Sequence, residues 1–242
     1  MRKRTFFILT AGLVLASALL FFPGNLPFPK MPVEIHIMGK KTVSERVREL
    51  SAGVHGRLEA HFRDAGLEYP PQKIALLGFK EEKLLEVWGA GSAGVFRLVK
   101  TFPILAASGV LGPKLREGDR QVPEGLYRIE SLNPNSLFHV SLRVNYPNAF
   151  DRARALEEGR DNPGSDIMIH GKAASIGCLA VGDEAAEDLF VLAAETGVSQ
   201  VEVILSPVDF RKRDLPREPV AGPEWVAGLY AEIRKALAGF GP

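Results

Sequence analysis

The chain has 242 residues, of which 46% are hydrophobic and 24% are charged, and its formal net charge is +1. This length is enough for one sizeable hydrophobic core or two small ones. The near-zero net charge excludes the broad basic surface that is typical of nucleic-acid-binding proteins, so no nucleic-acid partner is expected.

Residues 1–23 have the composition of a signal peptide or a membrane anchor. Three basic residues at positions 2–4 precede an apolar stretch from Thr5 to Phe22. A basic start and an apolar segment of about 20 residues are typical of secretory signals and of transmembrane anchors. The small residues Ala16–Ala18 would permit cleavage, but the apolar residues that follow favour an uncleaved anchor. The positive-inside rule then places the rest of the chain in the periplasm, anchored in the inner membrane or secreted.

Residues 24–72 are predicted to contain a linker followed by one helix. The prolines at the start of this segment favour an extended conformation. The segment Thr42–Glu45 resembles a capping box, and apolar residues then recur at helical spacing up to Phe62. Gly66 and Pro70–Pro71 are expected to end this helix.

Residues 73–206 are predicted to form one mainly antiparallel β domain. Short segments rich in β-branched and aromatic residues alternate there with turn residues, which is typical of strands. The predicted strands are Lys73–Phe79, Lys83–Trp88, Val95–Thr101, Ile104–Ala107, Leu126–Ser131, Leu137–Asn145, Ile167–Ile169 and Val201–Leu205. Many short strands with few, late helices indicate a β-sheet with helices packed against it.

Two helices are predicted in the last third of the chain. Asp183 is a suitable N-cap for a helix over Glu184–Thr196, and the glycine after it is suited to end it. Pro223 is expected to begin a last helix that continues to about Ala238. Residues 207–242 would therefore form a C-terminal helical extension of the β domain.

Cys178 is the single cysteine of the chain, so it cannot form an internal disulfide. A lone cysteine can simply be a small buried residue. Here, however, an apolar strand is expected to end at His170, and a loop of seven mostly small residues then leads to Cys178. Such a loop would let the imidazole meet the thiol. The pattern favours Cys178 as a nucleophile with His170 as its general base.

The residues beside Cys178 suggest how its reactivity would be supported. Gly177 permits a tight turn and a close approach of substrate. The backbone N–H groups of Gly177 and Cys178 are expected to form an oxyanion hole. The dipole of the helix after Asp183, together with His170, is expected to lower the thiol pKa.

The order His-Gly, spacer, Ser-x-Gly-Cys in residues 170–178 resembles the signature of the L,D-transpeptidase catalytic domain, also called the YkuD domain. Residues 112–129 resemble a strand motif of the same family, and two motifs in the right order are more specific than either alone. The resemblance extends from about Lys73 to Leu205. It implies a β-sandwich or barrel-like catalytic domain, with helices packed on it, that acts on peptidoglycan and needs no metal or cofactor.

The resemblance also implies a role for each residue of the site. Cys178 would attack the carbonyl at the L-centre of diaminopimelate in a peptidoglycan stem peptide and form a thioester, with His170 taking the thiol proton. The backbone carbonyl of Gly171 would orient His170 in place of an acid. The expected partners are stem peptides, with a murein-attached lipoprotein as a further candidate, and the protein is expected to be a monomer.

Four other residues are candidates for binding the stem peptide. Ser175 would brace the loop or contact the substrate through its hydroxyl. Arg152 would hold a stem-peptide carboxylate, with an ordinary surface arginine as the alternative. Tyr127 and Tyr146 would line the cleft, although aromatic residues in strands more often pack in the core.

The sequence departs from the commoner family motif at two positions. Ile176 stands where that motif has His, and Leu179-Ala180 covers the position of an Arg. With these two departures, and with residues 145–152, the sequence resembles the YafK-like branch of the family. That branch includes an enzyme that releases a covalently attached lipoprotein from peptidoglycan. The resemblance implies that water resolves the thioester, giving an amidase or an L,D-carboxypeptidase. The alternative is a transpeptidase that forms 3-3 cross-links or attaches proteins.

Two functions of other classes stay open at this point. One is a non-catalytic peptidoglycan-binding module that retains the fold. The other is a zinc-dependent peptidase that uses His170, Cys178 and His139, although the clustered ligand spacing of zinc sites is missing. A structural role within a strand is the simpler interpretation of His139.

Overall fold

The computed structural model describes residues 39–215 and 222–241 of the chain. The predicted signal or anchor and the predicted linker lie outside these residues. Within the described ranges, no helix is both long enough and apolar enough to cross a membrane.

The described chain contains four helices and nine strands. The helices are α1 (Val43–Asp64), α2 (Ala149–Glu157), α3 (Asp183–Thr196) and α4 (Val226–Leu237), with a 3₁₀ turn at Val198–Gln200. The strands are β1 (Lys73–Phe79), β2 (Leu84–Ala90), β3 (Phe96–Pro103), β4 (Ala106–Ala107), β5 (Gly125–Ser136), β6 (His139–Val144), β7 (Met168–His170), β8 (Leu179–Ala180) and β9 (Val201–Ser206). The prediction of a mainly β domain with helices is confirmed.

The strands form one nine-stranded sheet in the order β3-β2-β1-β9-β5-β6-β7-β8-β4. Six of the eight pairings are antiparallel, and the β1–β9 and β7–β8 pairings are parallel. Strand β5 belongs to both halves of the sheet, because Gly125–Arg128 pairs with β9 and the residues from Ile129 onward pair with β6. The register shifts just after Ile129, and such irregularities bend a strand. The strands therefore form one curled sheet, which is consistent with the β domain that the family resemblance implies.

Helices pack on both faces of the sheet. Ile74 and Leu76 of β1 belong to a core cluster that contains residues of α1 and α3, whereas Leu77 and Phe79 belong to a second cluster with residues of α4. Successive side chains of a strand point to opposite faces, so the two clusters lie on opposite sides. Burial on both faces explains why β1 is almost continuously hydrophobic.

Helix α1 begins where the sequence predicts. The hydroxyl of Thr42 accepts a hydrogen bond from the backbone N–H of Glu45 at 3.2 Å, and the Glu45 carboxylate accepts one from the Thr42 N–H at 2.7 Å. This reciprocal arrangement is a capping box. The helix then buries Val54, Leu58 and Phe62 against the sheet and α3.

The start of α3 differs from the prediction. Gly182 is the N-cap and Asp183 is already helical, so the prediction that Asp183 caps this helix is wrong. Its carboxylate instead accepts a hydrogen bond from the backbone N–H of Lys172 at 2.8 Å and forms an ion pair with the Lys172 ammonium at 3.0 Å. Asp183 therefore ties the start of α3 to the loop that follows β7.

The other differences from the prediction concern the start of α4 and three short elements. Helix α4 begins at Val226, after the N-cap residue Trp225, rather than at Pro223. Helix α2 is not among the predicted elements, because it is too short to show a periodic pattern. The side chain of Asn148 caps it by accepting from the N–H groups of Phe150 and Asp151. Strand β8 has two residues, and β4 retains two of the four residues predicted for it.

Candidate active site

Neighbouring parallel strands position the two residues that the sequence predicts as nucleophile and base. Strand β7 ends at His170, which pairs with Ala180 of β8, and Cys178 directly precedes β8. Paired residues of adjacent strands share a face, and so do residues two apart in one strand. The register therefore places the side chains of His170 and Cys178 on the same face of the sheet.

The thiol and the imidazole line one cavity of about 720 Å³. Four segments form most of its walls: the loop around residues 114–120, the turn between β5 and β6, residues 165–168 at the start of β7, and the loop of residues 174–178. The imidazole is almost fully buried, with 3% of His170 exposed, whereas Cys178 is partly exposed. The sulfur is thus open to a ligand while the base is shielded from bulk water.

The imidazole of His170 is held by its neighbours in one orientation. Its Nδ1 lies 2.6 Å from the backbone carbonyl oxygen of Gly171, so we assign the ring proton to Nδ1. The ring of Phe138 packs on the imidazole, with 4.5 Å between centroids. Burial lowers the pKa of His170, and the Gly171 carbonyl opposes this shift. The imidazole is therefore neutral near pH 7, with Nε2 free to accept a proton. The predicted contact between His170 and the Gly171 carbonyl is confirmed.

Gly171 occupies a position where no side chain fits. A Cβ atom there would lie 2.5 Å from Oδ1 of Asp183 and 2.7 Å from the carbonyl oxygen of Phe138. Glycine thus allows α3 and the β5–β6 turn to close on the backbone that orients the imidazole.

Ser175 organises the loop that carries the thiol. Its hydroxyl donates to the Cys178 carbonyl at 2.6 Å and accepts from the N–H groups of Gly177 at 3.3 Å and Cys178 at 3.0 Å. Ser175 therefore braces the loop, which is one of its two predicted roles. The same two N–H groups are predicted to form an oxyanion hole. That prediction is wrong for this conformation, because both N–H groups are bound to Ser175.

The thiol of Cys178 is held in its protonated form. Burial raises the pKa of Cys178 above its ordinary value; a backbone hydrogen bond from Met168 opposes this, the charge of Asp166 adds to it, and Lys114 again opposes it. The Sγ atom lies 3.6 Å from the backbone carbonyl oxygen of Asp166, to which the thiol donates. The prediction that a helix dipole and His170 lower the thiol pKa is wrong, because burial outweighs the favourable groups.

Asp166 presents its carbonyl to the thiol through an unusual backbone conformation. Its φ is 58°, which non-glycine residues rarely adopt. Its carboxylate forms an ion pair with Arg143 at 2.8 Å, and Arg143 also pairs with Glu130 at 2.9 Å. Sequence reasoning missed this role, since a contact made by a backbone carbonyl leaves no signature in residue type.

Three predicted substrate-binding residues do not line the thiol cavity. Tyr127 is buried and donates to Oδ1 of Asp151 at 3.2 Å, and Tyr146 is buried and donates to the Pro163 carbonyl at 2.8 Å. Arg152 lines a separate cavity of about 690 Å³. The prediction that these three side chains bind the substrate beside the thiol is therefore not supported: the tyrosine hydroxyls are engaged in the core, and the arginine lies elsewhere.

His139 has a structural partner. Its Nε2 lies 2.7 Å from Oε1 of Glu187 on α3, which agrees with the structural role predicted for it. Over residues 39–215 and 222–241, no three His, Cys, Asp or Glu side chains come together as a metal-binding group.

Several residues of the cavity, among them Leu137 and Arg120, are not expected from the sequence, whereas Ile176 is expected there from the motif. The rim carries two exposed apolar side chains, Leu137 at 95% and Ile176 at 79% exposure. Lys114, inside the cavity, is buried and pairs with Asp119 at 2.6 Å. Arg120 lies at the rim with a positive φ of 57°. Lys114 belongs to a segment that resembles a family motif, but neither pattern nor spacing shows that this segment reaches the thiol.

Comparison with known proteins identifies the family. The profile of the L,D-transpeptidase catalytic domain (YkuD) matches residues 77–203, just over half of the chain. The protein YafK of Escherichia coli (strain K12), named provisionally as an L,D-transpeptidase, is 35% identical over 141 residues, which are 56% of this chain and 54% of YafK. The chain thus matches about half the length of this relative.

Solved structures with a similar chain path include two bacterial proteins. The helical cell shape determining protein Pgp2 from Campylobacter jejuni aligns with a TM-score of 0.47 and 22% identity, over 56% of this chain and 48% of Pgp2. Bd1075 from Bdellovibrio bacteriovorus aligns with a TM-score of 0.41 and 18% identity, over 69% of this chain and 54% of Bd1075. On the strength of the profile match, the chain belongs to the L,D-transpeptidase catalytic domain (YkuD) family.

Proposed function

We propose that the protein is a cell-envelope cysteine enzyme that acts on peptidoglycan stem peptides at the L-centre of diaminopimelate. Membership of the L,D-transpeptidase family supports peptidoglycan as the substrate class. The observation that supports Cys178 as nucleophile and His170 as base is that both line the same open cavity. In addition, the hydrogen bond from Nδ1 of His170 to the Gly171 carbonyl leaves Nε2 as the basic nitrogen. A nucleophile with a positioned base in reach of substrate is what acyl transfer requires.

The neutral thiol and neutral imidazole define the order of proton transfers. Nε2 of His170 accepts the thiol proton as Sγ of Cys178 attacks the carbonyl carbon, and the new C–S bond gives a tetrahedral adduct. The adduct collapses to a thioester when the C–N bond breaks, and His170 returns the proton to the leaving amine. His170 then takes a proton from the acceptor, whose oxygen or nitrogen attacks the thioester carbonyl. The C–S bond breaks, and His170 returns the proton to the departing sulfur, which regenerates the thiol.

The acceptor in this proposal is water. Two exposed apolar side chains, Ile176 and Leu137, lie at the opening of the thiol cavity. Ala180, at the position that covers the family's Arg, is fully buried and paired with Ala106 of β4. At positions 176 and 180 an acceptor amine would therefore lack the polar side chains of the commoner family motif, whereas water needs no dedicated binding site. The leaving group is the lysine amine of an attached protein, which makes the protein an amidase, or a terminal D-amino acid, which makes it an L,D-carboxypeptidase.

Mass spectrometry of purified muropeptides before and after incubation tests this proposal. A hydrolase releases tripeptide-type muropeptides and forms no new cross-linked dimers, even with excess acceptor peptide. Accumulation of dimers joined through two diaminopimelate residues would establish the alternative, a transpeptidase that forms 3-3 cross-links. Murein that carries attached lipoprotein, used as a second substrate, separates the amidase from the carboxypeptidase.

A non-catalytic peptidoglycan-binding module is the second candidate, and the raised pKa of Cys178 and the occupied N–H groups favour it. The two functions differ in whether a covalent adduct forms. A binding module would bind muropeptides without any change in their mass and without an acyl group on Cys178.

A further inference from the structure

Arg120 is fixed beside the loop that carries the thiol. It lines the cavity, and its backbone has a φ of 57°, a conformation that is uncommon outside glycine and worth a functional explanation. Its carbonyl accepts a hydrogen bond from the Ser108 hydroxyl at 2.8 Å. A Cβ atom added to Gly177 would lie 3.5 Å from the carbonyl oxygen of Gln121 and 3.9 Å from the carbonyl carbon of Arg120. The Arg120 backbone therefore lies close to the residue before Cys178.

Two charged residues of the cavity wall already have partners of opposite charge. The ammonium of Lys114 pairs with Asp119 at 2.6 Å and also donates to a backbone carbonyl. The carboxylate of Asp166 pairs with Arg143 at 2.8 Å. These charges are satisfied within the protein.

Two other charged residues of the wall lack such partners. The guanidinium of Arg120 makes no hydrogen bond or ion pair with any residue that the structure describes. The carboxylate of Glu117 accepts a hydrogen bond from the backbone N–H of Ser165 at 3.1 Å and pairs with no cation of the described chain. Both residues are exposed at the cavity wall, and they do not pair with each other. One cation and one anion are thus available to a ligand in this cavity.

We propose that Arg120 and Glu117 bind a zwitterionic amino-acid head group of the substrate, with Arg120 on its carboxylate and Glu117 on its ammonium. The proposal rests on the proposed function, under which the D-centre of diaminopimelate carries this head group while the L-centre reacts at Cys178. The planar guanidinium matches a carboxylate with two parallel N–H···O bonds, which also fixes the orientation of the bound group. The fixed backbone of Arg120 would hold the diaminopimelate side chain in register with the thiol.

Binding measurements with Cys178→Ala protein test this assignment without any turnover. The ligands are a diaminopimelate tripeptide with a free D-centre carboxylate and the same peptide with that carboxylate amidated. Arg120→Met should weaken binding of the free acid roughly ten- to hundred-fold, which is the range for a charge-assisted hydrogen bond. It should leave the affinity for the amidated peptide unchanged. Methionine is unbranched at Cβ like arginine, so the strained backbone is preserved.

Arg116→Met is the matched control, because Arg116 is an exposed arginine of the same loop that does not line the cavity. It should leave both affinities unchanged. Arg120→Lys should recover part of the affinity for the free acid, since it keeps the charge and loses the planar fork. Glu117→Gln retains an oxygen that accepts from the Ser165 N–H. It should weaken the binding only of peptides whose D-centre amine is free.

The outcomes separate this assignment from the proposed function. Three outcomes would each overturn the head-group assignment. Arg120→Met could weaken the binding of both peptides equally, or it could weaken the binding of neither. The Cys178→Ala protein could also fail to bind either peptide. Turnover of muropeptides by the wild-type protein is measured separately. Selective weakening without turnover would support the assignment and overturn the proposed chemistry, whereas turnover without selective weakening would overturn the assignment alone.

Discussion

At the scale of single residues, burial controls the protonation of both reactive groups. It raises the pKa of the Cys178 thiol and lowers the pKa of the His170 imidazole, so the resting pair is neutral. A neutral pair differs from a preformed thiolate, because in the proposed mechanism the thiol is deprotonated only when a substrate carbonyl is in place. The free thiol is thereby less exposed to adventitious alkylation and oxidation.

This protonation state predicts the pH dependence of activity. Because the pKa of His170 is lowered, its basic form is present from mildly acidic pH upward, and kcat/KM should rise through a pKa below about 6.5 and then level off. Alkylation of Cys178 by iodoacetamide without substrate should instead rise through a pKa above that of an ordinary cysteine thiol, because burial raises the pKa of Cys178. Rates of both reactions measured from pH 5 to pH 10 check the prediction. Rapid alkylation at pH 6 would show a preformed thiolate and contradict it.

Replacement of His170 tests its role as the base. His170→Ala should slow acylation of Cys178 by about 10²–10⁴-fold, the usual contribution of a positioned general base. Single-turnover kinetics with a muropeptide measure this step. The matched control is His61→Ala, which removes an exposed histidine from α1 and should change nothing. Acylation at the wild-type rate in a folded His170→Ala protein would remove His170 from the mechanism.

At the scale of helices and strands, the sequence predicts features that depend on neighbouring residues, and it does not predict features that depend on contacts between distant segments. The capping box of Thr42 and Glu45 depends on four adjacent residues, and it is present as predicted. Helix α2 and strand β8 are too short to show a periodic pattern, so the sequence does not reveal them. The role of Asp183 was misassigned because its partner, Lys172, lies in a loop that approaches only in the folded chain.

A buried carboxylate joins α1 to α3 and to the sheet, and its removal should destabilise the fold. Asp188 on α3 is fully buried and pairs with Arg57 of α1 at 2.7 Å and with Lys100 of β3 at 3.1 Å. Asp188→Ala leaves Lys100 without its carboxylate partner and leaves Arg57 with Glu187 alone. Breaking a buried ion pair in this way typically costs about 3–5 kcal/mol. Urea unfolding measures the loss, and Glu184→Ala, which removes an exposed carboxylate from the same helix, is the control. A loss below about 1 kcal/mol, the range of surface ion pairs, would contradict the prediction.

At the scale of the whole molecule, the sequence predicts the chemistry better than the shape of the site. The pairing of Cys178 with His170 follows from a motif of nine consecutive residues, and the structure brings both to one cavity. The other walls of the cavity come from segments far apart in the chain, so the sequence does not place Arg120 and Glu117 beside the thiol. Tyr127 and Tyr146 pack in the core, which is the commoner role of aromatic residues in strands and one of the two alternatives that the sequence leaves open.

The location of the protein is a prediction from residues 1–23. The basic residues and apolar stretch predict a periplasmic domain that is anchored in the inner membrane or secreted. A reporter that functions only outside the cytoplasm, fused after Pro242, should be active. A matched fusion that lacks residues 1–23 should be inactive. Activity of a cytoplasmic reporter at the same position would contradict both the location and access to peptidoglycan.

The most direct test of the central claim is intact-protein mass spectrometry during incubation with purified muropeptides. The wild-type protein should carry an added mass of one stem-peptide acyl group, mapped to Cys178, and should release the products of hydrolysis. Cys178→Ala should fold normally, because one small side chain replaces another, and should show neither the adduct nor turnover. Continued turnover by a folded Cys178→Ala protein would contradict a thioester mechanism at this cysteine.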